Sequence, residues 1–271
     1  MSLKKPTVPE RSARARGLWR KEIPVVRREV VLSGLAAGLD GFRIVQVSDI
    51  HLEPFTTPAD VSRVVEVCNA LRPDMVALTG DFVTNHVRPA GELAERLAGL
   101  QARAGVFACL GNHDFWSDAP VVERALRQAG VDVLRGETKV LRCGGGELRV
   151  AGFDSRYVQR PRWRSGLEGW ASGQALVVLM HEPDVADDLA GAGVAALQLS
   201  GHTHGGQLRI PGREPMQFRR ARWGKKYLSG AYRVGPVQLH VNRGIGCVGL
   251  PLRFFCPPEV TEITLRSPEL S

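Results

Sequence analysis

Three polar clusters recur at a near-constant interval after short apolar runs, and this interval limits the fold more than any other feature of the chain. Asp49, Asp81 and Asn112 lie 32 and 31 residues apart, about the length of one strand–helix–strand unit. Each falls just past a β-rich run, at residues 42–48, 74–79 and 105–110. Between the runs, apolar residues return at helical spacing. Val61, Val64, Val65, Cys68 and Leu71 follow Thr57, a plausible N-cap, and Pro58 at the first helical position. Leu93, Leu97 and Leu100 mark a second helix, and a third, capped by Ser117, carries Val121, Val122, Ala125, Leu126 and Ala129. This alternation predicts parallel strands. Their carboxyl ends share one sheet edge, where α/β proteins place ligands.

The second half reads differently. Residues 140–143 and 148–153 form a predicted hairpin around 144–146, and 175–180 and 196–200 are apolar strands ending in His181 and in the run 201–206. Short strands are expected at 207–210, 227–234, 237–241 and 259–265. The predicted fold class is α/β (α+β): a four-layer αββα arrangement, a two-sheet β-sandwich flanked by helices, with the polar clusters at one sheet edge. With 271 residues, 44% hydrophobic and 24% charged, the chain can bury one large core. The expected division is a basic arm and lead-in at 1–40 and one domain at 41–271.

Charge is distributed unevenly. Residues 1–28 hold nine Lys/Arg and two acids, a net +7 of the chain's +8, so the body is nearly neutral. Such an arm is drawn to anionic surfaces, lipid or nucleic acid, or is simply a solvated leader. No apolar h-region follows the charges, and no apolar run approaches the roughly 18 residues of a membrane span. Five scattered cysteines without a CxxC pair read as reduced and packed, with neither a disulfide framework nor a thiolate zinc site. The expected location is cytoplasmic, with peripheral attachment to the inner membrane face as a further expectation.

Five segments carry the chemistry: Asp49-Ile50-His51, Gly80-Asp81, Gly111-Asn112-His113-Asp114, His181 and Gly201-His202-Thr203-His204. They hold five of the seven histidines, leaving out only His86 and His240. Singly each is weak: a D-x-H or G-D after a strand is most often turn chemistry, and a lone histidine is more often packed than a ligand. Together they offer two carboxylates, four imidazoles and an amide, a donor set suited to Mn, Zn, Fe or Ni and unlike the all-oxygen shell of calcium. Two divalent ions with two aspartates leave the site near +2, attractive to a phosphate ester. Such ions, about 3.5–4 Å apart, can also hold a bridging hydroxide. Asp81, between the outer ligand groups in sequence, is the natural bridge. His113 is then left over as phosphate contact and general acid, or as a packed neighbour of the ligands.

These blocks, D-x-H, G-D, G-N-H-[DE], a lone H and G-H-x-H in order over residues 49–204, resemble the calcineurin-like metallophosphoesterase superfamily. Residues 201–207 (GHTHGGQ) and 242–252 (NRGIGCVGLPL), with Pro257-Pro258-Glu259, look like a bacterial phosphodiesterase-like branch, often membrane-associated, and extend the likeness to about 40–265. The resemblance implies a β-sandwich flanked by helices. It implies that Asp49, His51 and His204 bind one metal and Asn112, His181 and His202 the other, with Asp81 shared and His113 catalytic. Many members carry an acid soon after G-D that orients the catalytic histidine. Here Phe82-Val83-Thr84-Asn85 follows, so His113 leans on Asp114 or on a backbone carbonyl.

The expected substrate is a phosphodiester or pyrophosphate, nucleotide-linked or lipid-associated, since relatives in this branch act on nucleotide-linked lipids such as UDP-diacylglucosamine. Two further stretches read either as a rim for an anionic substrate or lipid headgroups, or as a solvated face. One is Arg156, Arg160, Arg162 and Arg164 with Tyr157, Trp163 and Trp170. The other is Arg219, Arg220, Arg222, Lys225 and Lys226 around Trp223. A nuclease gripping phosphates with these stretches is the first alternative. A non-catalytic interaction module is the second, and it would be expected to have lost ligands. The sequence leaves the oligomeric state open.

Overall fold

Apolar residues on both sides of a strand require cover on both faces, and most strands of this chain have them. The computed structural model describes residues 22–158, 163–210, 212 and 224–270. In chain order the elements are β1 (Val25–Val31), β2 (Arg43–Val47), α1 (Pro58–Ala70), β3 (Met75–Thr79), α2 (Ala90–Leu97), β4 (Val106–Cys109), α3 (Asn112–Ser117), α4 (Ala119–Gln128), β5 (Asp132–Val133), β6 (Glu137–Cys143), β7 (Gly146–Phe153), α5 (Trp163–Gly166), β8 (Leu176–Met180), α6 (Val185–Gly191), β9 (Leu197–Ser200), β10 (Gly230–Val234), β11 (Val237–Val241) and β12 (Val260–Arg266). They form two six-stranded sheets, ordered β1-β12-β2-β3-β4-β5 and β10-β11-β9-β8-β7-β6.

Side-chain alternation along each strand builds the layers. In the first sheet, Val45, Val47, Val76, Leu78 and Ala108 face α1, α2 and α4. Ile44, Met75, Ala77, Phe107 and Cys109 point the other way, against Leu148, Val150, Val177, Leu179 and Leu199 of the second sheet. That sheet's outer face, with Ala151, Phe153, Val178 and Met180, is covered by Val185, Ala186 and Leu189 of α6. The result is the expected four layers, helix–sheet–sheet–helix. β2, β3, β4 and β5 are parallel, as are β7, β8, β9 and β11.

Local chemistry matches most expected elements. Thr57 caps α1 in a reciprocal box with Asp60: the Asp60 amide donates to Thr57 Oγ1 (3.2 Å) and the Thr57 amide to Asp60 Oδ2 (2.9 Å). The third helix differs. Ser117 ends α3, and the next residue, Asp118, caps α4 by accepting from the Val121 amide. Residues 207–210 are not a strand. A tight turn at His204–Gly206 leads to one bridge between Leu208 and Phe254.

The boundary expected at residue 40 falls inside the fold. Val25–Val31 pairs in parallel with β12, and Leu32, Leu35 and Leu39 are buried between the sheets. β1 is an edge strand, and its central Arg27, Arg28 and Glu29 are exposed between two pairs of valines. Of the expected arm, residues 1–21 lie outside the described residues. No helix among the described residues is long and apolar enough to cross a membrane.

Candidate metal centre

The carboxyl ends of β2, β3, β4, β8 and β9 meet at one edge, and the residues singled out in sequence all stand there. Asp49 and His51 follow β2, Asp81 follows β3, Asn112 and His113 open α3 after β4, His181 ends β8, and His202 and His204 follow β9. The turns are tight enough to drive side chains inward at a backbone cost. Asp49, His51, Asp81, His202 and His204 all have φ between 47° and 71°, a region that costs a non-glycine residue of order 1–3 kcal/mol. Strain of this kind clustered on five site residues is the backbone signature of a functional centre. The glycines between them relieve crowding. Gly80, at φ +87°, leaves no room for a Cβ, which would sit 2.7 Å from both Gly111 N and His181 Nδ1. A Cβ on Gly111 would collide with the Asp81 carboxylate.

Ligand atoms converge in three overlapping groups, each within 4.8 Å: Asp49, His51 and His204; Asp81, His181 and His202; and His51, Asp81 and His113. His204 Nε2 lies 3.1 Å from His51 Nε2 and 3.4 Å from Asp49 Oδ1. Asp81 Oδ2 lies 3.3 Å from His51 Nε2 and 3.1 Å from His181 Nε2. Atoms bound at about 2.0–2.2 Å to one cation stand roughly 3–3.5 Å apart, so these separations match the edges of a coordination shell. Asn112 lies among them. Its preceding glycine abuts Asp81, and the next residue, His113, donates its amide to Asp81 Oδ1 (2.9 Å). Asn112 Oδ1 is buried and has no hydrogen-bond partner in the protein, an acceptor that needs a ligand.

Electrostatics follows from burial. His51 is pushed down to about 4, by burial first, and burial also takes His204 well below its usual range. Both are neutral at pH 7, the form that binds a cation. Burial lifts Asp49 to about 6, against His181. Burial acts on Asp81 and His181 too but is outweighed. The facing imidazoles, His181 foremost, hold Asp81 well below the carboxylate range, and Asp81 holds His181 well above the imidazole range. Each group thus favours the other's charged form, and a cation bound here would need the His181 imidazole neutral. His181 donates Nδ1–H to the Thr79 carbonyl (2.7 Å), which turns Nε2 toward Asp81.

His113 leans on a backbone carbonyl: its Nδ1 is 2.5 Å from Thr84 O. Asp114 does something else, and its role was not read from the sequence. Its carboxylate accepts from the amides of Gly111 (2.9 Å), Asp81 (3.0 Å), Phe82 (2.8 Å) and Val83 (3.3 Å), tying the loop after β3 to the start of α3. Burial and Asp81 raise it to about 7 against the Gly111, Val83 and Phe82 amides. Its position three residues after Gly111, at N3 of α3, was the available signal.

Other supports come from residues 242–259. Gln207 Nε2 donates to Val248 O and Leu250 O, and its Oε1 accepts from Val248 N. Arg253 donates to His204 O and Gly246 O, while Arg243 pairs with buried Glu259.

The basic stretches are less committed to the site. Arg160, Arg162, Arg219, Arg220, Arg222 and Trp223, and the side chains of Trp163 and Arg164, lie outside the described residues. Arg156 pairs with Asp188 (2.6 Å) and Lys226 with Asp187 (2.7 Å), and Trp170 donates to Gln174 O. Tyr157 is at the rim, 5.4 Å from the His202 ring, and Trp116, unremarked in the sequence, packs 4.7 Å from the His113 ring.

Residues 42–206, the stretch that supplies all seven candidate ligands and His113, match the model of the calcineurin-like phosphoesterase family. The chain belongs to that family. Metallophosphoesterase YkuE of Bacillus subtilis, itself uncharacterized, is 34% identical over 260 residues, covering 93% of this chain and 89% of its own. The transmembrane protein with metallophosphoesterase domain of Danio rerio is 31% identical, over 89% of this chain and 57% of its own length. Phosphodiesterase YaeI of Escherichia coli is 29% identical over 83% of this chain and 82% of its own. As a calcineurin-like phosphoesterase the chain is a hydrolase acting on phosphoester bonds, and the family works with divalent metal ions. The buried Asn112 oxygen, the neutral imidazoles and the paired aspartates fit such ions.

Proposed function

We propose that this phosphoesterase hydrolyses a phosphodiester or pyrophosphate bond at two divalent cations, drawn from Mn, Zn, Fe and Ni. Asp49, His51 and His204 would hold one, and Asn112, His181 and His202 the other, with Asp81 shared. The observation that carries this reading is the position of Asp81 Oδ2, 3.3 Å from one set's imidazole (His51) and 3.1 Å from the other's (His181). When bound, two such ions neutralise charge on a phosphate ester and lower the pKa of an attacking water.

The chain's own residues do the rest. With Nδ1–H held by the Thr84 carbonyl, His113 has Nε2 as the position from which a proton can move. Its ligand atoms lie within 4.8 Å of those of His51 and Asp81, close enough to protonate the leaving oxygen of a phosphate held beside them. The Asp81 carboxylate also fixes the His113 main chain through the 2.9 Å amide bond, so acid and cage move together. A diester is the bond named for YaeI, and a nucleotide-linked or lipid-associated ester is the proposed substrate class.

Elemental analysis of the purified chain, with turnover of bis(p-nitrophenyl) phosphate against p-nitrophenyl phosphate, tests the proposal. Two metal equivalents and diester turnover that stops on chelation are expected. A metal-replete chain inert toward every diester and pyrophosphate would refute it.

A further inference from the structure

Nine large apolar residues are exposed among the described residues, and five of them fall in two segments that touch: Ile210 (46%), and Leu250, Leu252, Phe254 and Phe255 (54%, 54%, 49% and 66%). The segments are stitched together. The Arg209 amide donates to Phe254 O and the Phe254 amide to Gln207 O, both 2.9 Å, and the rings of Phe254 and Phe255 meet edge to face at 4.6 Å. Phe255 is doubly unfavourable as a surface residue, since it also has φ +47°, a conformation that bulky side chains rarely adopt. A cost in hydration and in backbone strain at one position is retained where the exposed group has a use.

The patch has a fixed relation to the metal centre. Between its residues, Arg253 donates to the carbonyls of His204 and Gly246, and the Cys256 thiol donates to His204 O (3.2 Å). Gln207 clamps Val248 and Leu250. The first described residues also lie on this edge. β12 begins at Val260, five residues past Phe255, and Val260 donates to Pro24 O (3.1 Å) while Val25 pairs with Val260. Ile23 packs in the same cluster as Ile50 and Ile245. Residues 1–21, the sequence attached there, carry seven Lys/Arg against one Glu, a net +6.

We infer that this edge docks on an anionic lipid surface, with Ile210, Leu250, Leu252, Phe254 and Phe255 entering the interface and the arm's charge meeting the headgroups. An interface of lipid is the partner that matches both features, apolar tips and a strongly cationic sequence joined to the chain at the same edge. Docking would bring the carboxyl-edge metal cage to the headgroup layer, where esters presented by the surface are within reach.

Sedimentation with vesicles of phosphatidylcholine, alone or mixed with phosphatidylglycerol, tests the inference on the full chain. The wild type is expected to pellet with the mixed vesicles and to keep part of that binding in high salt. Leu252→Ser with Phe255→Asn is expected to weaken it on the order of tenfold or more. Asparagine tolerates positive φ, so that variant keeps the turn, and neither residue is in the metal cage. Replacing the seven arm cations by Gln should weaken binding to the mixed vesicles and leave any residual binding insensitive to salt.

The inference is overturned if the wild type does not pellet, if the Leu252/Phe255 variant pellets like the wild type, or if that variant instead splits a dimer in lipid-free sedimentation. Turnover of bis(p-nitrophenyl) phosphate without lipid reports separately on the proposed reaction. It should be unchanged in both variants.

Discussion

The two sheets contribute to the same cage by different means. The first sheet supplies Asp49, His51, Asp81, Asn112 and His113 from consecutive strand–helix units, and the loops are bonded to each other by main chain. Asp49 N donates to Gly80 O, His51 N to Asp81 O and Leu52 N to Phe82 O, at 2.9–3.0 Å. A single carboxylate, Asp114, then gathers four amides of the loop after β3 and the start of α3. The second sheet supplies His181, His202 and His204. The loop carrying the last two is braced by side chains: its own Gln207 reaches the main chain of Val248 and Leu250, and Arg253 and Cys256 arrive from further along the chain. A cage built half on sheet-edge backbone and half on side-chain braces should fail differently when each half is disturbed.

The largest effects are expected at the shared centre. Asp81→Ala should reduce both metal content and diester turnover to background, whereas His113→Ala should keep both metals and lose about 10²–10⁴-fold in turnover. Elemental analysis beside kinetics separates the two. A fully active His113→Ala would end the acid assignment.

Next come the braces. Asp114→Asn turns one of the two acceptor oxygens into an NH2 donor, leaving two of the four buried amides without an acceptor, and should lower metal affinity about 10–100-fold together with a fall in melting temperature. Gln207→Ala removes three hydrogen bonds in the looser half and should cost about tenfold in metal affinity with little change in melting. Equal losses of stability from the two variants would erase the distinction between the halves.

The last effect, seen in stability and not in activity, concerns the joint between the sheets. His240 Nδ1 on β11 meets Gln46 Oε1 on β2 (2.9 Å). Burial first, then Arg28 and Arg243, push His240 down to about 4. The unfolded chain takes up that proton below about 6.5 and the folded chain only near 4. This residue's contribution is therefore complete above pH 6.5 and is lost as pH falls toward 4, on the order of 3 kcal/mol. Denaturant titrations of the metal-loaded protein at several pH values should show a shallower acid slope for His240→Asn. An unchanged slope would mean the joint is not what acid breaks.

The first half was the more legible because period and spacing coincide there. Short β-rich apolar runs marked β2, β3 and β4, and the 32- and 31-residue intervals placed Asp49, Asp81 and Asn112 at one edge. β1 escaped notice because an edge strand needs only one apolar face, and its charges read as arm. α6 was missed because seven residues, VADDLAG, are too few to show a helical period. At the site, residue types and motifs found the donors. The supports stayed hidden because Gln207 and Arg253 act on main-chain groups that no spacing announces, and Asp114 had only its N3 position to mark it. The Thr84 carbonyl that seats His113 has no sequence signal at all, since any residue at that position carries one.

The most direct test of a shared cage is the electron paramagnetic resonance spectrum of the chain reconstituted with Mn²⁺. Two ions per chain with the signature of an exchange-coupled pair, lost in Asp81→Ala, are expected if one carboxylate spans both ligand sets. A single isolated Mn²⁺ signal at one ion per chain, unchanged by that substitution, would contradict it.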